Sequence, residues 1–168
     1  MDINQHLQRK FLVVVDGTPE VYAALRFAAR RAHGTGGKVA LLLLLAPGEG
    51  GHWLGVDSLM KEEALEEAER ILGEHSALVE LLGVEKPKTH IREGQPVEEI
   101  VKLINEDPTI STLVLATRAG QNDAQPTTAP KTAPGPLVSA IAGGRVGVDI
   151  PVTIVPGALS NEEIDALT

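Results

Sequence analysis

The chain has 168 residues, a formal charge of −8 and no cysteine. That length suits one domain with a substantial core. The missing thiols exclude a disulfide framework, a thiolate metal site and a cysteine nucleophile, and the acidic balance argues against nucleic acid and anionic membranes as partners. Aromatic residues make up 2% of the chain, so the core must be aliphatic, and stacking platforms for single-stranded nucleic acid are excluded. The histidines (His6, His33, His52, His75 and His90) show no metal-ligand spacing. Met1–Lys10 is polar and does not read as a secretory leader, and the longest apolar run, Val39–Ala46, is too short to span a bilayer. The expectation is a soluble, cytoplasmic protein.

Phe11–Val15 is a short apolar strand that runs into Asp16-Gly17-Thr18-Pro19-Glu20. A helix follows from Pro19 to about His33, with Thr18 as N-cap and Ala24, Leu25, Ala28 and Ala32 as its apolar stripe. Gly34-Thr35-Gly36-Gly37 ends it. The following Lys38 resembles a phosphate loop only superficially, because Ala32 stands at the leading glycine and the segment precedes a strand. Val39–Ala46 is the second strand, and Pro47–Gly55 is a glycine-rich loop in which His52 and Trp53 either cover a ligand or anchor the loop. The next helix, about Ser58 to Leu82, places Leu65, Ala68, Ile71, Leu72, Leu78, Val79 and Leu82 inward and its glutamates mostly in solvent.

Lys88–Arg92 is a third strand, followed by a helix from about Val97 to Asn105 that Asp107-Pro108 terminates. Thr112–Ala116 is the fourth strand. Gln121–Gly135 carries no large apolar residue and is expected to be a mobile loop, either a tolerated insertion or a lid or partner-binding element. A short helix over Leu137–Gly144, a fifth strand over Val152–Val155 and a terminal helix over Asn161–Ala166, capped by Ser160 or Asn161, complete the chain.

Strands apolar on both faces, alternating with helices, predict an α/β fold: an open parallel sheet covered on both sides. The reading is one domain over residues 1–168, with its core at about 10–157 and a short tail over 158–168. In such sheets ligands sit beyond the carboxyl ends of the strands, here where the first and fourth strands stop. Asp16 there either meets a ligand or serves the neighbouring loop and helix. Arg118 is an anion contact or a solvent-exposed loop residue, and Ser139 is a ligand contact or a first-turn serine. No catalytic residue or metal site is assigned, since no nucleophile elbow is present and a carboxylate pair at Asp16 and Asp123 has no support.

Three stretches, in order, resemble the universal stress protein family: Phe11–Thr18, Arg92–Ile100 with its Gly-x-Pro-x-x-x-Ile pattern, and Pro151–Pro156. The resemblance implies five parallel strands in the order 3-2-1-4-5 and a homodimer built through the last strand, Val152, Thr153, Ile154 and Val155, with Thr153 as a central backbone donor. It also implies a nucleotide or other ligand near Asp16, Gly17, Leu44, Thr117, Arg118, Gly120 and Ser139. Many members bind ATP through Gly-x2-Gly-x9-Gly followed by Ser or Thr. Here Thr117 stands at the first glycine, Gly120 keeps the second, and Val138 precedes Ser139, so side chains occupy places where backbone approaches phosphate. The reading is a dimeric binding or regulatory module in stress response, without tight ATP binding and without an obligate cofactor. The alternative is a member that binds ATP with Mg²⁺ and hydrolyses it slowly or phosphorylates itself. Itself and unidentified proteins are the expected partners.

Overall fold

The computed structural model describes residues 9–46, 56–119, 132–133, 136–144 and 147–168. The elements run β1 (Lys10–Val15), α1 (Val21–Thr35), β2 (Lys38–Leu45), α2 (Val56–Leu81), β3 (Lys88–Glu93), α3 (Pro96–Glu106), β4 (Ile110–Ala119), β5 (Thr132–Ala133), α4 (Pro136–Ala142), β6 (Val152–Pro156) and α5 (Asn161–Leu167). Five strands pair in parallel in the order β3-β2-β1-β4-β6. Leaving aside the two-residue β5, this is the expected 3-2-1-4-5 sheet. β5 pairs antiparallel with the end of β4, Arg118 opposite Ala133 and Ala119 opposite Thr132. Part of the segment expected to be a loop is therefore strand, and the rest of it lies outside the described residues.

Side-chain alternation divides the core into two aliphatic layers. Val13 and Val15 of β1, Val39, Leu41 and Leu43 of β2 and Val114 of β4 pack with α1, α2 and Ile164 of α5. Leu12, Ala40, Leu42, Leu113 and Leu115 point the other way, toward Ile100, Leu103 and Ile104 of α3 and Val138 and Ile141 of α4. Both faces of β1 are covered by helices, with Val14 partly exposed at the carboxyl end, so the strand needs no polar alternation. Each fully buried Leu or Val contributes about 1.5–3 kcal/mol, which is how a chain so poor in aromatics sustains a core.

α3 begins with Pro96 at its first position and Glu98 and Glu99 in its first turn, both suited to a helix N-terminus. α5 is held by a complete capping box between Ser160 and Glu163. Arg26 of α1 grips Asp165 through two hydrogen bonds of 2.8 and 2.6 Å, and Ile164 beneath is fully buried. α2 departs from its expected face. Leu59, Met60 and Leu65 are exposed, and the buried stripe starts only at Ala68. His75 and Ser76 are buried in its second half, where the His75 ring stacks on Tyr22 of α1 at 5.1 Å. Periodicity located the helix, but not the point at which it first meets the sheet.

β6 is bound to β4 in a definite phase. The N–H of Leu113 donates to the carbonyl of Pro151 at 2.9 Å, and Leu113 lies opposite Val152. In a parallel ladder this turns the backbone groups of Thr153 and Val155 toward β4 and those of Val152 and Ile154 toward the open edge. The expectation that Thr153 supplies an outward donor is therefore incorrect. Just beyond the strand, Gly157 donates its N–H to the Thr117 hydroxyl at 3.4 Å. A Cβ at Gly157 would collide with the Thr117 carbonyl oxygen and lie 2.6 Å from Cγ of Glu20, so the close approach requires glycine.

At the amino end of the sheet, Lys10 donates to Asp107 at 2.7 Å, joining β1 to the end of α3. Burial pushes the Asp107 carboxyl up, but hydrogen bonds from the Lys10 ammonium and from the hydroxyl and N–H of Thr109 outweigh it and bring the pKa down from 3.8 to about 2.

Two predictions follow from these joints. Because the Asp107 pKa is depressed on folding, its stabilisation is complete above about pH 4 and is lost as pH falls toward about 2. Denaturant midpoints of wild type and Asp107→Asn should differ most near neutrality and converge below pH 4; a constant gap would show that Asp107 acts without its charge. Gly157→Ala should destabilise the fold by about 1–3 kcal/mol through overpacking, and an unchanged midpoint would mean that the β4–β6 junction yields freely.

Candidate functional site

The carboxyl ends of β1 and β4 open into a cavity of about 430 Å³. Its apolar wall includes Val14, Val21, Val97, Leu115, Leu137 and Ala140, and its polar groups are Asp16, Thr18, Glu20, Thr117 and Arg118. The size and the mostly apolar lining with a few polar groups are those of a small-ligand site. The position is the one Phe11–Val15 and Thr112–Ala116 point to, where the sheet winds outward in both directions from β1 and β4.

The β1–α1 connection determines what faces the cavity. Asp16 leaves the strand, and its Oδ1 accepts from the N–H of Thr18 at 3.0 Å and from the Thr18 hydroxyl at 2.6 Å. This closed turn corrects the expectation that Thr18 caps α1: its hydroxyl is engaged backward, on Asp16. The helix starts instead from Glu20, with no side-chain cap, and the N–H groups of Val21, Tyr22 and Ala23 bond to the carbonyls of Thr18, Pro19 and Glu20 at 3.2–3.3 Å. Gly17 makes the turn feasible with φ of 73°, and a Cβ there would press on Ile71 of α2 at 3.1 Å.

The residues singled out from sequence fall into separate places. Asp16, Thr117 and Arg118 converge on the main cavity. Leu44 lines a second, apolar hollow of about 280 Å³, between the ends of β1 and β2 and α2, together with Asp16, Leu43, Leu45, Ala64 and Ile71. Asp16 thus borders both. Gly17 and Ser139 are exposed, and neither lines either hollow. Gly120, His52 and Trp53 lie outside the described residues.

Two side chains behave differently from expectation. Val138 does not stand in the crevice: it is buried with Leu12 and Leu113 on the α3/α4 side of the sheet. The Thr117 hydroxyl oxygen accepts a long hydrogen bond from the Gly157 N–H and keeps its own O–H donor. Sequence reasoning overlooked Glu20 as a cavity residue. It also overlooked Val97, although the Gly-x-Pro-x-x-x-Ile stretch contains it.

Arg118 is exposed, and among the described residues neither its guanidinium nor the Glu20 carboxylate has an ion-pair partner. Among the described residues the cavity is thus lined by two carboxylates and one cation. α4, which carries Ser139, is only seven residues long. No described helix is long and apolar enough to cross a membrane.

The family model for the universal stress protein family matches residues 8–124. Among solved structures, the chain is similar to the universal stress protein UspA from Lactobacillus plantarum, with 19% identity over 88% of this chain and 97% of the other and a TM-score of 0.64. It is also similar to the Archaeoglobus fulgidus universal stress protein in complex with dAMP, at 21% identity, 89% and 98% coverage and a TM-score of 0.57. A universal stress protein family protein from Arabidopsis thaliana with AMP bound aligns at 15% identity, with 88% and 91% coverage and a TM-score of 0.58. No curated protein matches significantly. These likenesses establish the fold, and the family match, which spans well over half of the chain and includes the β1–α1 turn, the Gly-x-Pro stretch and β4, places the protein in the universal stress protein family.

Proposed function

We propose that this protein is a dimeric binding module in stress response, whose crevice takes a small nucleoside-type ligand without tight affinity for ATP. The observation that carries this reading is the cavity beyond β1 and β4, apolar on most of its wall, with Asp16 and Arg118 at its polar end. The bound AMP and dAMP of two structural neighbours support the ligand class. Weak ATP binding is argued from this chain alone. A β-carbon at Thr117 stands where the ATP-binding pattern has a glycine, and among the described residues Arg118 is the one cation that lines the cavity. Titration calorimetry with ATP and Mg²⁺ should give a dissociation constant weaker than about 10 μM, roughly −7 kcal/mol; tighter binding would refute this part.

Self-association is assigned to the open edge of β6. Antiparallel pairing about a twofold axis normal to the sheet brings together residues of the same parity. Centred on Ile154, it sets Ile154 against its twin and Thr153 opposite Val155. Val152 and Ile154 have the outward N–H groups, and Ile154 is 39% exposed, on the axis. Pro151 and Pro156 bracket the pairing and limit its extension. The opposite edge is unsuited to the same contact. On β3 the residues of one face are Lys88, His90 and Arg92, so any in-phase antiparallel pairing sets basic groups against one another.

Sedimentation should show wild type as a dimer at tens of micromolar. Ile154→Lys, which puts two ammonium groups on the axis, and Ile154→Pro, which deletes the central outward donor, should both be monomeric with unchanged circular dichroism. A monomeric wild type, or dimeric variants, would overturn the assignment.

A further inference from the structure

We infer that the crevice selects its ligand by charge, admitting a neutral, hydroxyl-bearing ring compound ahead of any phosphorylated form, and that Glu20 is the residue that sets this preference. The inference rests on the reading of the cavity as the ligand site and adds to it the class of ligand. Among the described residues, three charged side chains line the cavity: Asp16, Glu20 and Arg118. Two are acidic. The cation among them is an exposed arginine, whereas Glu20 is only partly exposed, and among the described residues neither has an ion-pair partner.

Glu20 is more than a nearby negative charge. It stands at the start of the fifteen-residue α1, where the aligned peptide dipoles favour an anion. A phosphate could have been held at such a place, but this chain supplies a carboxylate of its own. The stem of Glu20 is also confined. The position a side chain would take at Gly157 lies 2.5 Å from Glu20 Cβ and 2.6 Å from Cγ, so the end of β6 backs directly onto the glutamate. The stem is thereby held where the side chain lines the cavity.

Asp16 complements this arrangement. Its Oδ1 is satisfied by Thr18, and its Oδ2 has no partner among the described residues. A carboxylate oxygen left open at the cavity accepts hydrogen bonds from ligand hydroxyls and repels ligand phosphates. The remaining lining is aliphatic and suited to the face of a ring. A neutral nucleoside satisfies all of these groups at once. Each added negative charge is set against two carboxylates with one exposed guanidinium to offset them.

The test compares adenosine, AMP and metal-free ATP by calorimetry on wild type and Glu20→Gln. Wild type should bind adenosine more tightly than AMP, and AMP more tightly than ATP. At separations within a Debye length, removing one carboxylate should raise the ratio of ATP to adenosine affinity on the order of three- to tenfold. Wild-type ATP affinity should rise with added salt, since the dominant interaction is repulsive, and this measurement requires no variant. ATP binding tighter than adenosine, or a ratio unmoved by both Glu20→Gln and salt, would overturn the charge inference and leave the cavity as the ligand site. Failure of all three compounds to bind would instead sink the reading of the cavity, and the inference with it.

Discussion

Everything in this molecule depends on β1 being enclosed on all sides. It hydrogen-bonds to β2 along one edge and β4 along the other, while Leu12 faces α3 and Val13 and Val15 face α1. A backbone so placed cannot bend or fray without opening both aliphatic layers at once. The turn that leaves its carboxyl end therefore starts from a rigid post. That is why an exposed residue such as Asp16 can hold a defined position at a cavity mouth: its mobility is limited to the turn itself, and the turn is closed by two bonds to Thr18.

The same enclosure explains how the cavity is shared among distant segments. Its walls come from β1, β4, α1, the start of α3 and α4, all converging because parallel strands end on the same side. The second hollow over β2 lies across Asp16 from the first. One carboxylate at the end of the central strand thus addresses two neighbouring spaces, an apolar one toward Leu44 and a mixed one toward Arg118.

The sheet was readable from sequence because burial on both faces leaves a plain signature: Phe11–Val15, Val39–Ala46 and Thr112–Ala116 are runs without polar alternation. Ser160 likewise announces the start of α5 through chemistry local to the chain. The misreadings occur where two segments compete for one group. Thr18 looks like a cap until Asp16, two residues earlier, takes its hydroxyl. Val138 was read as a crevice residue because a motif was counted along the chain, whereas the rotation of a short helix about its axis decides which way a side chain points. Leu65 has the right spacing for a buried stripe but is exposed, and the first fully covered position of α2 is Ala68. The stem of Glu20 is backed by Gly157, well over a hundred positions away, and no local pattern encodes such a contact.

The strand order has a kinetic side. β1 meets β2 after one short helix, but its other edge is filled by β4, with Lys10 opposite Ile110 and tied to Asp107 across 97 positions. Local contacts form cheaply, while closing a loop of that length costs chain entropy before any pairing repays it. The β1-β2-β3 half can therefore assemble while one edge of β1 is still bare, offering the unpaired edge of an aliphatic strand to any other chain nearby. The strand that comes earliest in the chain thus waits for a partner some hundred residues later, and that interval exposes the protein to aggregation.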